Sequence, residues 1–280
     1  MPNVRQEIKM DKLGPLRIRR HGNALPTVIV LHGGPGAVGS AGVLARGLSD
    51  KFTAIEPWQR GSGGNEPLTV ARHVADLYDV VVQSVRTDQH PALVGESWGA
   101  MLALAYAAEH PYSAGSIVLV GCGTFDKDSR ALGAKIREER IAEYIAEHPQ
   151  HVSDLDLSLN DRIMKWHEMT DNYDPMPSVS QNRTEPFDMT AHTETWEDML
   201  RCQEIGLYPG AFSVIQAPII MLHGSYDPHP GKMIRNSLKS YLPQLEYREF
   251  DKCGHVPSIE RFARDEFFTV MHEWLAQKYA

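Results

Sequence analysis

The chain is poor in the residues that would assign it to several large protein classes. Its three cysteines, Cys122, Cys202 and Cys253, are odd in number and far apart. That excludes a disulfide framework and does not match the paired ligands of a zinc site, so a reducing, cytoplasmic setting is expected. No run approaches the roughly 18 apolar residues of a membrane span, and the opening MPNVRQEIKMDKLG lacks the apolar centre of a signal peptide. Positive charge is in the minority, with 28 Lys and Arg against 36 Asp and Glu and a net charge of −8. Such a balance offers no footprint for nucleic acid or an anionic membrane. Internal repeats and low-complexity tracts are missing too.

What remains is an ordinary globular composition, 42% hydrophobic and 23% charged over 280 residues, enough to bury a substantial core. EIKMDKL and LRIRRHG read as an opening pair of strands, and TVIVLHG and FTAIEPW as two more. From Thr69, a candidate N-cap, Val70, Val74, Leu77, Val81 and Val85 recur at helical spacing. PALVGES and GSIVLVG are short apolar strands separated by a helix that is apolar on nearly every side. Strands alternating with buried helices predict an α/β fold, a mostly parallel sheet covered on both faces. From about residue 125 to 205 strand-like runs give way to charges and turn formers, which predicts a helical insertion. The sheet pattern then resumes with APIIMLHG and LEYREF and closes in a long helix. The expected organisation is therefore a core of residues 1–124 and 206–280 interrupted by an insertion over 125–205. On the insertion's first helix, Ala134, Ile141 and Ile145 share one face and Leu132 and Ile136 another, predicting two apolar faces.

Within LVGESWGAML, Ser97 lies between Gly95 and Gly99, after an apolar strand and before a run of good helix formers. A sharp strand-to-helix turn there lifts the hydroxyl above the sheet edge, over a helix N-terminus. A hydroxyl needs a base to become a nucleophile, and the base needs an orienting carboxylate. His255, in a glycine-containing loop after the last predicted strand, is the candidate base, with His229 a competitor and His223 a strand-end residue. Asp227, just beyond the strand PIIMLHG, is the candidate acid, with Asp126 in reserve. The order serine, aspartate, histidine suits a strand-turn-helix nucleophile. HGGPG, residues 32–36, follows a buried strand and leaves backbone N–H groups unobstructed. The N–H groups of Gly34 and Trp98 are the candidate oxyanion hole, each worth about 3 to 4 kcal/mol if well aimed.

The segments VLHGGPG, LVGESWGAMLAL and HGSYDPHPG…CGHVP resemble the α/β-hydrolase superfamily. HGGPG, then QRGSGGN, then GESWG is similar to prolyl iminopeptidases, whose segments read close to HGGPG, DQRGxG and GGSWG. Gln59, Arg60 and Gly61 match, whereas Trp58 stands in place of the acid and Gly95-Glu96 in place of the glycine pair. The resemblance implies that the insertion is a cap over the site. It also implies that cap acids bind a substrate's free amino end, with Glu168 in KWHEM the candidate. A serine at the turn suits acyl transfer to water and needs no metal or organic cofactor. The expected partner is a small ester, amide or short peptide. The activities left open are an aminopeptidase, a small carboxylesterase or lactonase, and a hydrolase-fold binding or receptor protein with negligible turnover.

Overall fold

Apolar, β-branched runs bounded by glycine and proline become strands at each place the sequence marks. The computed structural model describes residues 10–84, 90–148, 165–167, 169–177 and 185–279. Its strands are β1 (Met10–Leu13), β2 (Leu16–His21), β3 (Thr27–Leu31), β4 (Thr53–Trp58), β5 (Ala92–Glu96), β6 (Ser116–Val120), β7 (Ile219–Gly224) and β8 (Leu245–Phe250). They form one sheet in the order β1-β2-β4-β3-β5-β6-β7-β8. β2 pairs antiparallel with β1 and β4, and every other pairing is parallel. β3, β5, β6 and β7 are buried at every position, as parallel strands covered on both faces must be. The expected α/β-hydrolase architecture is the observed one.

The longer helices among the described residues are α1 (Gly42–Leu48), α2 (Val70–Ser84), α3 (Trp98–Glu109), α4 (Lys127–Glu147), α5 (Met189–Glu204), α6 (Gly231–Lys239) and α7 (Arg264–Tyr279). On one face of the sheet α1 and α7 contribute Leu44, Leu48, Phe267 and Met271 to a core cluster. On the other, α2, α3, α5 and α6 contribute Val74, Leu104, Met199 and Ile234. The stripe read on α2 points inward through Val70, Val74, Leu77 and Val81, and Thr69 Oγ1 accepts the Arg72 N–H at 3.1 Å. Val85 lies outside the described residues. No helix among the described residues is long and apolar enough to cross a membrane.

Between β6 and β7 the described chain is mostly helical, with one isolated bridge joining Pro175 to Glu260. α4 differs from the sequence expectation: Leu132 and Ala134 are exposed, and the inward line runs through Ser129, Gly133, Arg137 and Arg140. Polar anchoring rather than an apolar face holds this helix down. A Cβ at Gly133 would lie 3.1 Å from the Pro228 carbonyl oxygen, so α4 approaches the loop after β7 closely. α5 is fastened to the core differently. Met199 and Cys202 join the α2–α3 cluster, while Glu194 and Asp198 accept the Leu68 and Val70 N–H groups at 2.9 and 2.8 Å. Two of its carboxylates thereby cap the start of α2.

Candidate active site

The turn between β5 and α3 requires both glycines of the serine motif. A Cβ on Gly95 would fall 2.2 Å from the Gly99 carbonyl oxygen, and one on Gly99 would fall 2.3 Å from that of Leu31. Only absent side chains let β5, α3 and β3 approach so closely. Ser97 sits between them at φ 55° and ψ −117°, outside the regions ordinary L-residues occupy. Its N–H donates to the Val120 carbonyl at 2.8 Å, fixing the turn to the end of β6.

The residue after Val120 brings the second half of the site. Gly121 has φ +53°, and a Cβ there would lie 3.0 Å from His255 Nδ1. The imidazole thus rests on the same strand end that anchors Ser97. His255 Nδ1 donates to Asp227 Oδ2 at 2.8 Å. Among the described residues the Ser97 hydroxyl closes no hydrogen bond to His255; in unliganded sites such contacts are often long. Burial lowers the basicity of His255, but the charge and hydrogen bond of Asp227 outweigh it and raise its pKa to about 8. Burial pushes Asp227 up, and the charges of His255, His223 and His229 more than reverse this, holding it well below the carboxylate range. The competing candidates differ in their partners. His229 donates from both its N–H and its Nδ1 to Asp227 Oδ1 at 2.9 Å. His223 Nε2 lies 2.9 Å from the His229 carbonyl. Asp126 is the N-cap of α4, taking the Ser129 N–H and hydroxyl at 2.7 Å each, and is engaged away from the imidazole. Asp227, His229 and His255 hold donor atoms within 4.8 Å of one another, close enough to share an ion. Both Nδ1 atoms are instead turned onto the carboxylate oxygens.

The HGGPG loop runs beside the serine. A Cβ at Gly33 would lie 3.2 Å from Ser97 Cβ and 3.8 Å from its Oγ. Gly34 follows at φ +114°, where only glycine is unstrained, and Trp98 opens α3 directly after Ser97. The two candidate oxyanion donors thus lie one residue beyond Gly33 and one residue beyond Ser97. A buried network ties the two segments together. Gln59 Nε2 donates to the His32 carbonyl at 2.9 Å, its N–H to His32 Nε2 at 3.1 Å, and its Oε1 accepts Trp98 Nε1 at 2.7 Å. Arg60 is held by Asp76 through two hydrogen bonds of 2.8 and 2.6 Å. Trp58 and Gln59 border a cavity of about 640 Å³ that also reaches Arg17, Phe187 and Asp188.

Several residues around the site carry no sequence signal. Arg137 on α4 grips Asp171 with two hydrogen bonds of 2.8 and 3.1 Å, and the Asp171 carbonyl accepts the His255 N–H at 2.7 Å. Burial raises Asp171, but hydrogen bonds from His167 and Arg137 drive it far below the carboxylate range. Glu260, fully buried, accepts the N–H groups of Gly254, Tyr173 and Asp174 at 2.8, 2.7 and 2.7 Å. It thereby joins the His255 loop to residues 173–174. Only spatial contact reveals these groups, since the partners that join Arg137 to Asp171 and Glu260 to Tyr173 lie 34 and 87 positions apart and leave no local pattern. Of the acids in the insertion, Glu194 caps α2, Glu197 and Glu204 are exposed, and Asp188 takes the Ser62 and Ala191 N–H groups at 2.8 and 2.9 Å. Glu168 lies outside the described residues.

A family model described as alpha/beta hydrolase fold matches residues 26–262. A proline iminopeptidase of Lactobacillus helveticus (strain DPC 4571) is 27% identical over 277 residues, covering 90% of each chain. A 2-hydroxy-6-oxononadienedioate/2-hydroxy-6-oxononatrienedioate hydrolase of Cupriavidus pinatubonensis (strain JMP 134 / LMG 1197) is 24% identical over 249 residues, covering 84% of this chain and 82% of the relative. Among solved structures, proline iminopeptidase of Mycobacterium smegmatis superposes with a TM-score of 0.67 at 18% identity, over 97% of this chain and 98% of that one.

Proposed function

The chain belongs to the α/β-hydrolase family, near prolyl iminopeptidase-like enzymes, and from that premise we propose that it is a serine hydrolase cleaving a small ester or amide through an acyl-enzyme. Ser97 is the nucleophile, His255 the base and then the acid, Asp227 its orienting carboxylate, and the N–H groups of Gly34 and Trp98 the oxyanion donors. The observation that carries this reading is the common anchorage of the strained Ser97 and the Asp227-bound His255 on the end of β6. In the first half-reaction Ser97 Oγ attacks the carbonyl carbon, His255 Nε2 takes its proton, and the same proton passes to the leaving alcohol or amine. Water then repeats the exchange and frees the acid. Segment 125–205 acts as the cap, with α4 reaching the loop that carries Asp227. The three cysteines, all free and buried, suit a cytoplasmic enzyme.

Four described acids of the cap are engaged within the protein, which favours the ester branch. Glu194, Asp198 and Asp188 are committed to backbone N–H groups, and Asp171 to Arg137. A desolvated substrate ammonium would need a charged partner of its own. The aminopeptidase branch rests on the relatives and on Glu168. The test is a panel of short aryl esters and aminoacyl arylamides, the prolyl one included, run on wild type and Ser97→Ala with a serine-reactive phosphonate alongside. We expect ester turnover and phosphonate labelling that Ser97→Ala abolishes. Arylamide turnover that disappears when the amino group is blocked would select the aminopeptidase. A wild type that takes neither ester nor phosphonate would be a binding protein.

A further inference from the structure

The carboxylate of Asp227 is shared, and the sharing is asymmetric. Oδ2 faces His255 Nδ1 at 2.8 Å and His223 Nε2 at 3.2 Å. Among the described residues Oδ1 faces His229 alone, through its N–H and its Nδ1, both at 2.9 Å. A carboxylate only accepts, so His229 must carry its proton on Nδ1. The remote nitrogen, Nε2, lies 3.4 Å from Arg137 Nη2, and a guanidinium only donates. Both neighbours therefore demand the same tautomer.

We infer that His229 is a positioning residue for the triad acid: its Nδ1–H holds Asp227 Oδ1 so that Oδ2 stays aligned with His255, and Arg137 of the cap fixes the tautomer that makes this possible. The inference rests on the serine-hydrolase reading for its catalytic meaning and on geometry alone for the tautomer. Arg137 is well placed for the task. The close approach of α4 at Gly133 sets its height above the loop, and Asp171 sets the plane of its guanidinium. The Arg137–Asp171 pair meets both imidazoles, His229 by side chain and His255 through the Asp171 carbonyl.

The same surroundings keep His229 neutral. Burial lowers its pKa to about 4, and although Asp227 opposes this, His255 and Arg137 add to it. A second cation beside the imidazolium formed during turnover is thereby avoided, with the two rings only 4.6 Å apart. The other charged or titratable groups that bear on this cluster are His223 from β7, Tyr247 from β8 and Arg140 from α4. His167 acts on it through Asp171, and Cys122 and Cys253 lie within reach of the Asp227 charge.

His229→Ala and His229→Asn separate positioning from packing, because the asparagine amide can donate from near the place of Nδ1. With an activated aryl ester, His229→Ala should lose about ten- to a hundredfold in kcat at nearly constant KM, the scale of a misplaced catalytic group. Its ascending limb of kcat/KM should also move to higher pH, since Asp227 is then left to His255 and His223. His229→Asn should recover most of both. Wild-type kcat and pH limb in His229→Ala, or an asparagine variant as impaired as the alanine one, would overturn the inference. Nitrogen-15 spectra of imidazole-labelled protein give an arm independent of activity. His229 should show a protonated Nδ1 and a bare Nε2, and Arg137→Gln should disturb that pattern; a proton on Nε2 in the wild type would overturn the inference even if His229→Ala failed to fold. Should Ser97→Ala retain esterase activity, the hydrolase reading fails and the nitrogen arm still decides the role of His229.

Discussion

The side chains proposed to act in catalysis are held in place by backbone and by one another. The φ of 55° at Ser97 costs on the order of 1–3 kcal/mol, and the Val120 bond and the two flanking glycines sustain it. Asp227 and Asp126 are the same residue type in opposite roles. Asp227→Asn should lower kcat by about four orders of magnitude, because an amide selects the wrong imidazole tautomer. Asp126→Asn should leave kcat intact and cost at most about 1 kcal/mol as a weakened helix cap. Steady-state rates and melting curves on the two variants check this, and an equal loss of rate in both would move the acid. In the proposed mechanism His255 must be unprotonated at Nε2 to accept the serine proton, and Asp227 has raised its pKa to about 8 against the pull of burial. Hydrolysis of an uncharged ester should therefore climb with pH and level off above about 8, with kcat/KM at pH 6 about a hundredfold below the plateau. A profile already flat at pH 6 would contradict that coupling.

At the scale of elements, what the sequence discloses divides along locality. The eight strands, the turn at Ser97 and the stripe on α2 are written in residues a few positions apart, so a period and a glycine suffice to find them. The inner face of α4 is not. Its anchors are Gly133 and two arginines whose partners lie 30 or more positions away, and the isoleucines that suggested an apolar face are only partly covered. Glu260 is the sharpest case, a buried carboxylate whose three partners are backbone N–H groups from two separate segments. Nothing in SIERF marks it. Glu260→Gln replaces one acceptor oxygen by a donor and leaves at least one buried N–H unsatisfied, at about 1–3 kcal/mol. The local consequence is the diagnostic one. Amide exchange at Gly254, Tyr173 and Asp174 should accelerate well before global unfolding, and kcat should fall as His255 loses its footing. Unchanged exchange at all three amides would show that the carboxylate is not the strap between the segments.

For the whole molecule, stability should depend on pH more steeply on the acid side than on the alkaline side. Two kinds of group act together. Burial raises Asp171, Asp188 and Asp227, but hydrogen bonds and nearby cations depress them overall. The stability they contribute is present above the ordinary carboxylate pKa of 3.8 and is lost as pH falls through their folded values. His73 and His229 are held as neutral rings, each lowered from 6.5 to about 4, chiefly by desolvation. In the unfolded chain they take up protons below 6.5 that the folded protein refuses until near 4, so stability starts to decline at pH 6.5, before the carboxylates contribute. His255 works in the other direction. Its pKa is raised, so its contribution is complete below 6.5 and is lost as pH rises through about 8. Against this one raised histidine stand nine lowered groups, since Glu249, His32, His192 and His272 join the five above. Urea midpoints measured from pH 4 to 9 should therefore peak near pH 6.5, fall modestly toward 8 and fall much further toward 4. His73 bonds Thr195 Oγ1 at 3.0 Å, joining α2 to α5, and a glutamine can keep such a bond without titrating. His73→Gln should accordingly flatten the decline between pH 6.5 and 4 while sparing the steeper loss below it. A wild-type midpoint that stays level from pH 6.5 to 4.5, or a His73→Gln variant with the wild-type slope there, would show that these imidazoles are protonated in the folded protein and that burial does not govern them.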